Sequence, residues 1–179
     1  MGSRSSLSLI PTAPPLPGGA LILSGILFLL ALSPDVFADA LSLETGQGFH
    51  HSGNTQALFV RYQKDAPLLF GQKGFYEGSV GAWNGPNRVE TVGIARGLRF
   101  DWGGTAYFSA QFGLNYITRK TENLGTLFQF ASRLTIGRSI GEYDVSLGYV
   151  HFSNGKYFFG WDGPNYGENF VTVQIGRKF

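Results

Sequence analysis

From residue 39 onward, apolar and small polar side chains alternate along segments of about ten residues. In the segment TAYFSAQFGLNYIT, one parity carries apolar or aromatic side chains, whereas the other carries Ser109, Gln111 and Asn115. Successive side chains of a β-strand point to opposite faces, so this alternation predicts strands with one apolar face and one small polar face. The segments DVSLGYVHF and NFVTVQIGRKF follow the same rule, and no stretch after residue 38 has the period of an amphipathic helix. The chain is therefore expected to be all-β.

Turn-forming residues divide this alternating sequence into eight predicted strands joined as a meander. The strands are predicted at residues 41–49, 56–63, 76–83, 88–101, 105–118, 125–136, 142–152 and 168–179. The segments between them, such as NGPN, WGG and GRSIG, are rich in glycine, asparagine and proline.

The longer of these strands suit a membrane crossing, because a tilted transmembrane strand needs about 9–11 residues. The chain ends in Phe179 at the close of an alternating strand, which resembles the C-terminal assembly signature of bacterial outer-membrane proteins. An open sheet would leave edge amides unpaired in hydrocarbon, so the strands should close on themselves. We expect an eight-stranded antiparallel transmembrane β-barrel over residues 39–179. The alternative is a secreted sandwich or lipocalin-like barrel, in which the apolar face would form the core.

The first 38 residues have the character of an export signal. Arg4 precedes an apolar run at residues 20–32, and this run of thirteen residues is shorter than the roughly 20 that a membrane helix requires. Val36 and Ala38 supply small residues before a cleavage point between Ala38 and Asp39. We expect residues 1–38 to be a cleaved signal peptide and the mature chain to lie in the bacterial outer membrane. An unprocessed anchor is the alternative.

Composition excludes several classes of function. The formal net charge is +2 and the basic residues do not cluster, which argues against a nucleic-acid partner. The absence of cysteine excludes a disulfide scaffold and thiolate metal sites.

The stretch HFSNG places a histidine and a serine on one face of a predicted strand. His151 and Ser153 continue the parity of Val145, Leu147 and Tyr149, the face expected to meet lipid. Residues two apart on a strand have Cα atoms about 6.6 Å apart, within reach of a hydrogen bond from Ser Oγ to a His nitrogen. Such a pair is the minimum for activating a serine nucleophile. Taken alone, this spacing is a weak pattern that favours ordinary polar residues at a membrane interface over a catalytic pair.

HFSNG, followed by GPNYGEN and one last strand, resembles the signature of the lipid A 3-O-deacylases, the PagL family. That resemblance implies an eight-stranded outer-membrane barrel that hydrolyses an ester-linked acyl chain from the 3-position of lipid A. Its substrate would be lipopolysaccharide within the outer-membrane lipid. By similarity, Ser153 would be the nucleophile and His151 its general base, with no metal or organic cofactor.

The third catalytic position departs from the family pattern. The acidic partner of that family lies two residues after the glycine of the turn, where this chain has Asn169, and Glu168 comes one residue earlier. Strict alternation turns Asn169 outward and Glu168 inward, unless a bulge rotates the carboxylate. Glu168 and Asn169 therefore both remain candidates for orienting His151. Asn154 and Gly155 are the candidate donors for an oxyanion hole.

Two other functions remain open from the sequence. One is a structural or adhesive outer-membrane barrel without catalysis, and the other is a different lipid A modifier such as an acyltransferase. A homodimer is also left open.

Overall fold

A computed structural model describes residues 39–179, which form eight antiparallel strands closed into one barrel. The strands are β1 (Ala40–Gly48), β2 (Gln56–Leu69), β3 (Gln72–Asn84), β4 (Arg88–Trp102), β5 (Ala106–Ile117), β6 (Phe128–Ile140), β7 (Tyr143–Ser153) and β8 (Glu168–Lys178). Each strand pairs with its sequence neighbours, and β8 pairs with β1, so the sheet has no free edge. The predicted fold class is confirmed. The predicted signal peptide, residues 1–38, lies outside the described residues.

Two regions differ from the predicted strand boundaries. β2 and β3 continue as a hairpin past the level at which β1 begins, through a segment predicted as a loop. Their register shifts between Ala66 and Leu69, and Pro67 lies inside this irregularity, where its missing N–H costs no ladder bond. β6 begins only at Phe128, and Gly125 N–H, which the alternation placed in this strand, instead donates to Pro164 O at 2.8 Å.

The apolar parity of the strands faces outward. Leu147, Val171 and Ile175 are more than half exposed, whereas Ser146 and Thr172, on the opposite parity, are buried. A soluble barrel would reverse this arrangement, so the exposed apolar belt is the surface that meets lipid. Within residues 39–179 there is no helix of the length and apolarity that a membrane crossing requires.

Four charged side chains occupy the middle of the barrel interior. Arg61 bonds to Glu44 and, at 2.7 Å, to Glu77; Arg133 reaches the same two carboxylates at 3.1 Å each. All four residues are buried. Every charge in this network has two opposite partners, which offsets the cost of removing the four groups from water.

Aromatic side chains fill the interior on the side of the longer loops, which we call the loop end. Phe59, Trp83, Phe152 and Phe170 are almost fully buried and contact one another, with ring centroids 5.1–6.3 Å apart. A polar cavity of about 690 Å³ occupies the opposite end, beside the start of β1 and the end of β8. Because aromatic packing closes the loop end and paired charges fill the middle, the chemistry of the chain is expected on the outer surface.

Candidate active site on the outer surface

His151 and Ser153 lie in the last three residues of β7, at the loop end of the barrel. Both are half-buried, whereas Phe152 between them points inward and is buried. Across the sheet, His151 pairs with Ser132 of β6 and Asn169 of β8, and Ser153 pairs with Phe130 of β6. The two side chains therefore share the lipid-facing side of the barrel wall, as the alternation predicts.

Asn169 is the residue that forms a hydrogen bond with the histidine. Its Oδ1 lies 2.8 Å from His151 Nδ1. The β1–β2 loop fixes its backbone, since Asn169 N–H donates to Ser52 Oγ at 2.9 Å and Asn169 O accepts from Phe49 N–H at 3.1 Å. With both backbone groups and the side chain bonded, this residue holds the imidazole in one orientation.

Glu168 does not lie beside the histidine. Its buried side chain points into the barrel, where Thr121 Oγ1 donates to Glu168 Oε1 at 3.0 Å. Its second carboxylate oxygen has no hydrogen-bond partner within residues 39–179. No bulge rotates this residue, because the register of β7 and β8 is continuous from Tyr143 to Phe152. Of the two candidates for orienting His151, Asn169 contacts the imidazole and Glu168 points away from it.

Ser153 has its own set of partners. Its Oγ donates to Asn165 Oδ1 at 3.3 Å and accepts from Gly155 N–H at 3.3 Å. In the part of the chain that the structure describes, no hydrogen bond joins Ser153 directly to His151. The hydroxyl is thus held toward the β7–β8 loop (residues 154–167). Its residue lies two positions after His151 on the same face of β7.

The two predicted oxyanion donors have different surroundings. Asn154 is fully buried and engaged: its Nδ2 donates to Pro164 O at 2.9 Å, its Oδ1 accepts from Lys156 N–H, and its N–H donates to Asn165 Oδ1. These bonds shape the start of the β7–β8 loop and occupy both ends of the Asn154 amide. Gly155 N–H, in contrast, points at Ser153 Oγ.

Two glycines permit this arrangement. Gly167 has φ +79°, and a Cβ there would lie 2.6 Å from His151 Cε1. Gly155 has φ +67°, and a Cβ there would lie 2.6 Å from the Phe130 ring. Both positions combine a left-handed backbone with a close ring, so any larger residue would displace the ring beside it.

Aromatic rings border the site on the β6 side. Phe130 stacks on Phe159 of a short helix, α1 (Lys156–Phe159), with centroids 5.5 Å apart, and Phe159 stacks on Trp161 at 5.0 Å. Tyr157 and Phe158 of α1 are about nine-tenths exposed. This apolar surface continues the lipid-facing belt past Ser153 into the β7–β8 loop.

Asn165 and Ser52 have no sequence signal of their own. Asn165 belongs to the GPNYGEN stretch, but only the folded loop brings its amide to Ser153. Ser52 lies in the β1–β2 loop, 117 residues from the amide that it holds. Within residues 39–179, no group of three or more His, Cys, Asp or Glu side chains could hold a metal ion.

The fold and the site define a membrane β-barrel that carries a cluster of polar residues on its outer wall and whose lumen is closed in the middle and at the loop end. The sequence model of the family described as lipid A 3-O-deacylase (PagL) matches residues 41–178. The chain therefore belongs to the lipid A 3-O-deacylase family, whose members are hydrolases of the bacterial outer membrane. A direct comparison with curated proteins finds no match.

Three solved structures resemble this chain to different degrees. The crystal structure of the outer membrane enzyme PagL aligns with a TM-score of 0.61 and 16% identity, covering 78% of this chain and 99% of that one. Neisserial surface protein A aligns with a TM-score of 0.48 and 12% identity, over 78% of this chain and 95% of its own. The Yersinia pestis outer membrane protein Ail aligns with a TM-score of 0.47 and 11% identity, over 79% of this chain and 99% of its own. At such identities, the PagL structure supports the fold, which is an eight-stranded barrel.

Proposed function

We propose that this protein removes the ester-linked acyl chain from the 3-position of lipid A, with Ser153 as nucleophile and His151 as general base. The observation that carries this proposal is the 2.8 Å contact between His151 Nδ1 and Asn169 Oδ1. It fixes the imidazole beside Ser153 on the wall of a barrel whose family acts on lipid A. An ester near the polar edge of the bilayer would meet this wall directly, without entering a lumen.

The contact also favours one placement of the protons on the imidazole. Asn169 Oδ1 can only accept, so the neutral ring carries its proton on Nδ1 and presents the lone pair of Nε2 as the base. Ser153 Oγ reaches His151 Nε2 by giving up its bond to Asn165. This is within reach because Ser153 and His151 are two residues apart on the same face of β7. Catalytic hydrogen bonds commonly tighten only when substrate is bound.

The reaction follows from these positions. Ser153 Oγ attacks the ester carbonyl carbon while its proton passes to His151 Nε2, and Gly155 N–H stabilises the oxyanion. The bond between the carbonyl carbon and the sugar oxygen breaks, and the sugar oxygen takes the proton from His151. Water, deprotonated by His151, then attacks the acyl-enzyme, which releases the 3-hydroxy fatty acid and restores Ser153. Asn169 orients the imidazole throughout.

The test is lipid A deacylation by the refolded protein and by Ser153→Ala. Purified lipopolysaccharide is incubated with each in detergent micelles, and both lipid A and free fatty acid are measured by mass spectrometry. Wild type should remove the mass of one 3-hydroxyacyl chain, and Ser153→Ala should release none while retaining heat-modifiable migration. Ser79→Ala, on the inner face of β3, is the matched control and should behave as wild type.

Each outcome discriminates between functions. Undiminished release by Ser153→Ala would overturn the serine assignment. A gain of acyl mass would indicate an acyltransferase, and unaltered lipid A would indicate a barrel without catalysis. A homodimer, which the sequence leaves open, would be tested by chemical cross-linking in the same micelles.

A further inference from the structure

The hydroxyl of Tyr149 bonds to the amide that orients the histidine. Tyr149 Oη donates to Asn169 Oδ1 at 2.8 Å, and His151 Nδ1 lies 2.8 Å from the same oxygen. Tyr149 and His151 are neighbours on the outward face of β7, and their rings stack with centroids 6.5 Å apart and planes 16° apart. The Tyr149 ring also contacts Phe49 of the β1–β2 loop at 5.9 Å. One amide oxygen thus accepts two hydrogen bonds from the lipid-facing wall.

This arrangement matters because an amide, unlike a carboxylate, has two different ends. With Oδ1 toward His151, the ring must carry its proton on Nδ1, and Nε2 is free to act as base. With Nδ2 toward His151, Nδ1 would have to accept, and the proton would move to Nε2. A ring protonated on Nε2 cannot take the proton of Ser153. At this position the direction of the Asn169 amide decides whether the histidine is a base.

Tyr149 favours the productive direction. If the amide turned round, Nδ2 would face the phenol, and the phenolic hydrogen would lose its acceptor. Within residues 39–179, Asn169 Oδ1 is the only hydrogen-bond acceptor of this hydroxyl. An unsatisfied polar hydrogen is costly, so the turned amide is disfavoured.

We propose that Tyr149 is a positioning residue that fixes the Asn169 amide and thereby the base tautomer of His151. The proposal rests on the proposed function, because it concerns the same serine and histidine. It assigns the tyrosine a role that the chain requires only because position 169 is asparagine. With a carboxylate at position 169, both oxygens would accept a hydrogen bond from His151. The tyrosine hydroxyl would then have no two different ends to distinguish.

The first test is a double-mutant cycle of deacylation rates. Tyr149→Phe removes the hydroxyl and keeps the ring stacked, and it should lower kcat by about three- to tenfold, as expected for one hydrogen bond. In an Asn169→Asp background the same substitution should change kcat by less than about twofold, because either carboxylate oxygen accepts from Nδ1–H. Tyr116→Phe, on the outward face of β5, is the matched control and should leave kcat unchanged.

The second test reads the tautomer without activity. The chain has three histidines, so His50→Gln and His51→Gln leave His151 as the single imidazole. With ¹⁵N-labelled histidine in micelles, NMR should show the Nδ1–H tautomer in this background and a mixture with Nε2–H after adding Tyr149→Phe. A merely structural role for Tyr149 would lower stability or raise KM without changing the tautomer.

The outcomes separate this inference from the proposed function. If Ser153→Ala releases fatty acid as wild type does, the proposed function fails whatever Tyr149 does. If Ser153→Ala is inactive while Tyr149→Phe keeps both its kcat and its Nδ1–H tautomer, only the role of Tyr149 is wrong. Equal losses from Tyr149→Phe in the wild-type and Asn169→Asp backgrounds would also overturn it, because selection between the ends of an amide requires an amide.

Discussion

Replacing Asn169 by aspartate should raise the rate of deacylation. Aspartate has the shape of asparagine, so one oxygen keeps the position that lies 2.8 Å from His151 Nδ1. A hydrogen bond between neutral groups contributes about 0.5–1.5 kcal/mol, and one to a charged group contributes about 1.5–3 kcal/mol. The difference of about 1.3 kcal/mol applies when the imidazolium forms, that is, in the transition state. We therefore expect kcat to rise about tenfold with KM little changed.

The measurement is the steady-state release of 3-hydroxy fatty acid from lipopolysaccharide in micelles, followed by gas chromatography and mass spectrometry. Asn87→Asp, in the exposed β3–β4 loop at the same end of the barrel, adds the same charge away from the site and should leave kcat unchanged. If Asn169→Asp folds into a heat-modifiable barrel and its kcat is equal to or below that of wild type, the claim that residue 169 stabilises the imidazolium in the transition state is refuted.

Three further substitutions test other parts of the account. Gly167→Ala should lower kcat at least about tenfold in an intact barrel, because a Cβ there would lie 2.6 Å from His151 Cε1. Full activity of this variant would mean that the position of the His151 ring does not matter for deacylation. Glu168→Gln should keep kcat within about twofold, since its bonded carboxylate oxygen accepts from Thr121 of the β5–β6 loop and not from His151. An inactive, folded variant would restore Glu168 as a catalytic candidate. Phe152→Ala should lower the free energy of unfolding in urea by about 3–5 kcal/mol, as expected for a cavity in packed aromatic side chains; a loss below about 1 kcal/mol would contradict the packing described.

The strand pattern and the outward direction of the site could be predicted because both depend on local alternation. Val145, Leu147, Tyr149, His151 and Ser153 share one parity, and an unbroken strand keeps that parity to its end. The same rule places Asn169 outward and Glu168 inward without reference to any distant residue. Closure of the barrel follows from the requirement that every backbone amide in lipid has a partner.

Contacts made by loops could not be predicted in this way. Asn165 reaches Ser153 only because the β7–β8 loop folds back beside the β5–β6 loop, with Leu124 and Asn165 forming an isolated bridge. The extension of β2 and β3 could not be predicted either, because these strands continue by pairing with each other. Pro67 and the turn at Phe70 and Gly71 instead indicate a loop. The hydroxyl of Tyr149 gave no signal, since a tyrosine near a membrane interface is ordinary.

The identity of the nucleophile is the claim on which the remaining chemistry depends, and a covalent trap measures it directly. The refolded protein is treated with a long-chain alkyl fluorophosphonate, which reacts with activated serine hydroxyls, and its peptides are sequenced by mass spectrometry while residual deacylation is followed. We expect a single adduct on Ser153 that forms in step with the loss of activity and is absent from His151→Ala. Full deacylation by protein modified at Ser153, or inactivation with the adduct on another residue, would contradict the account.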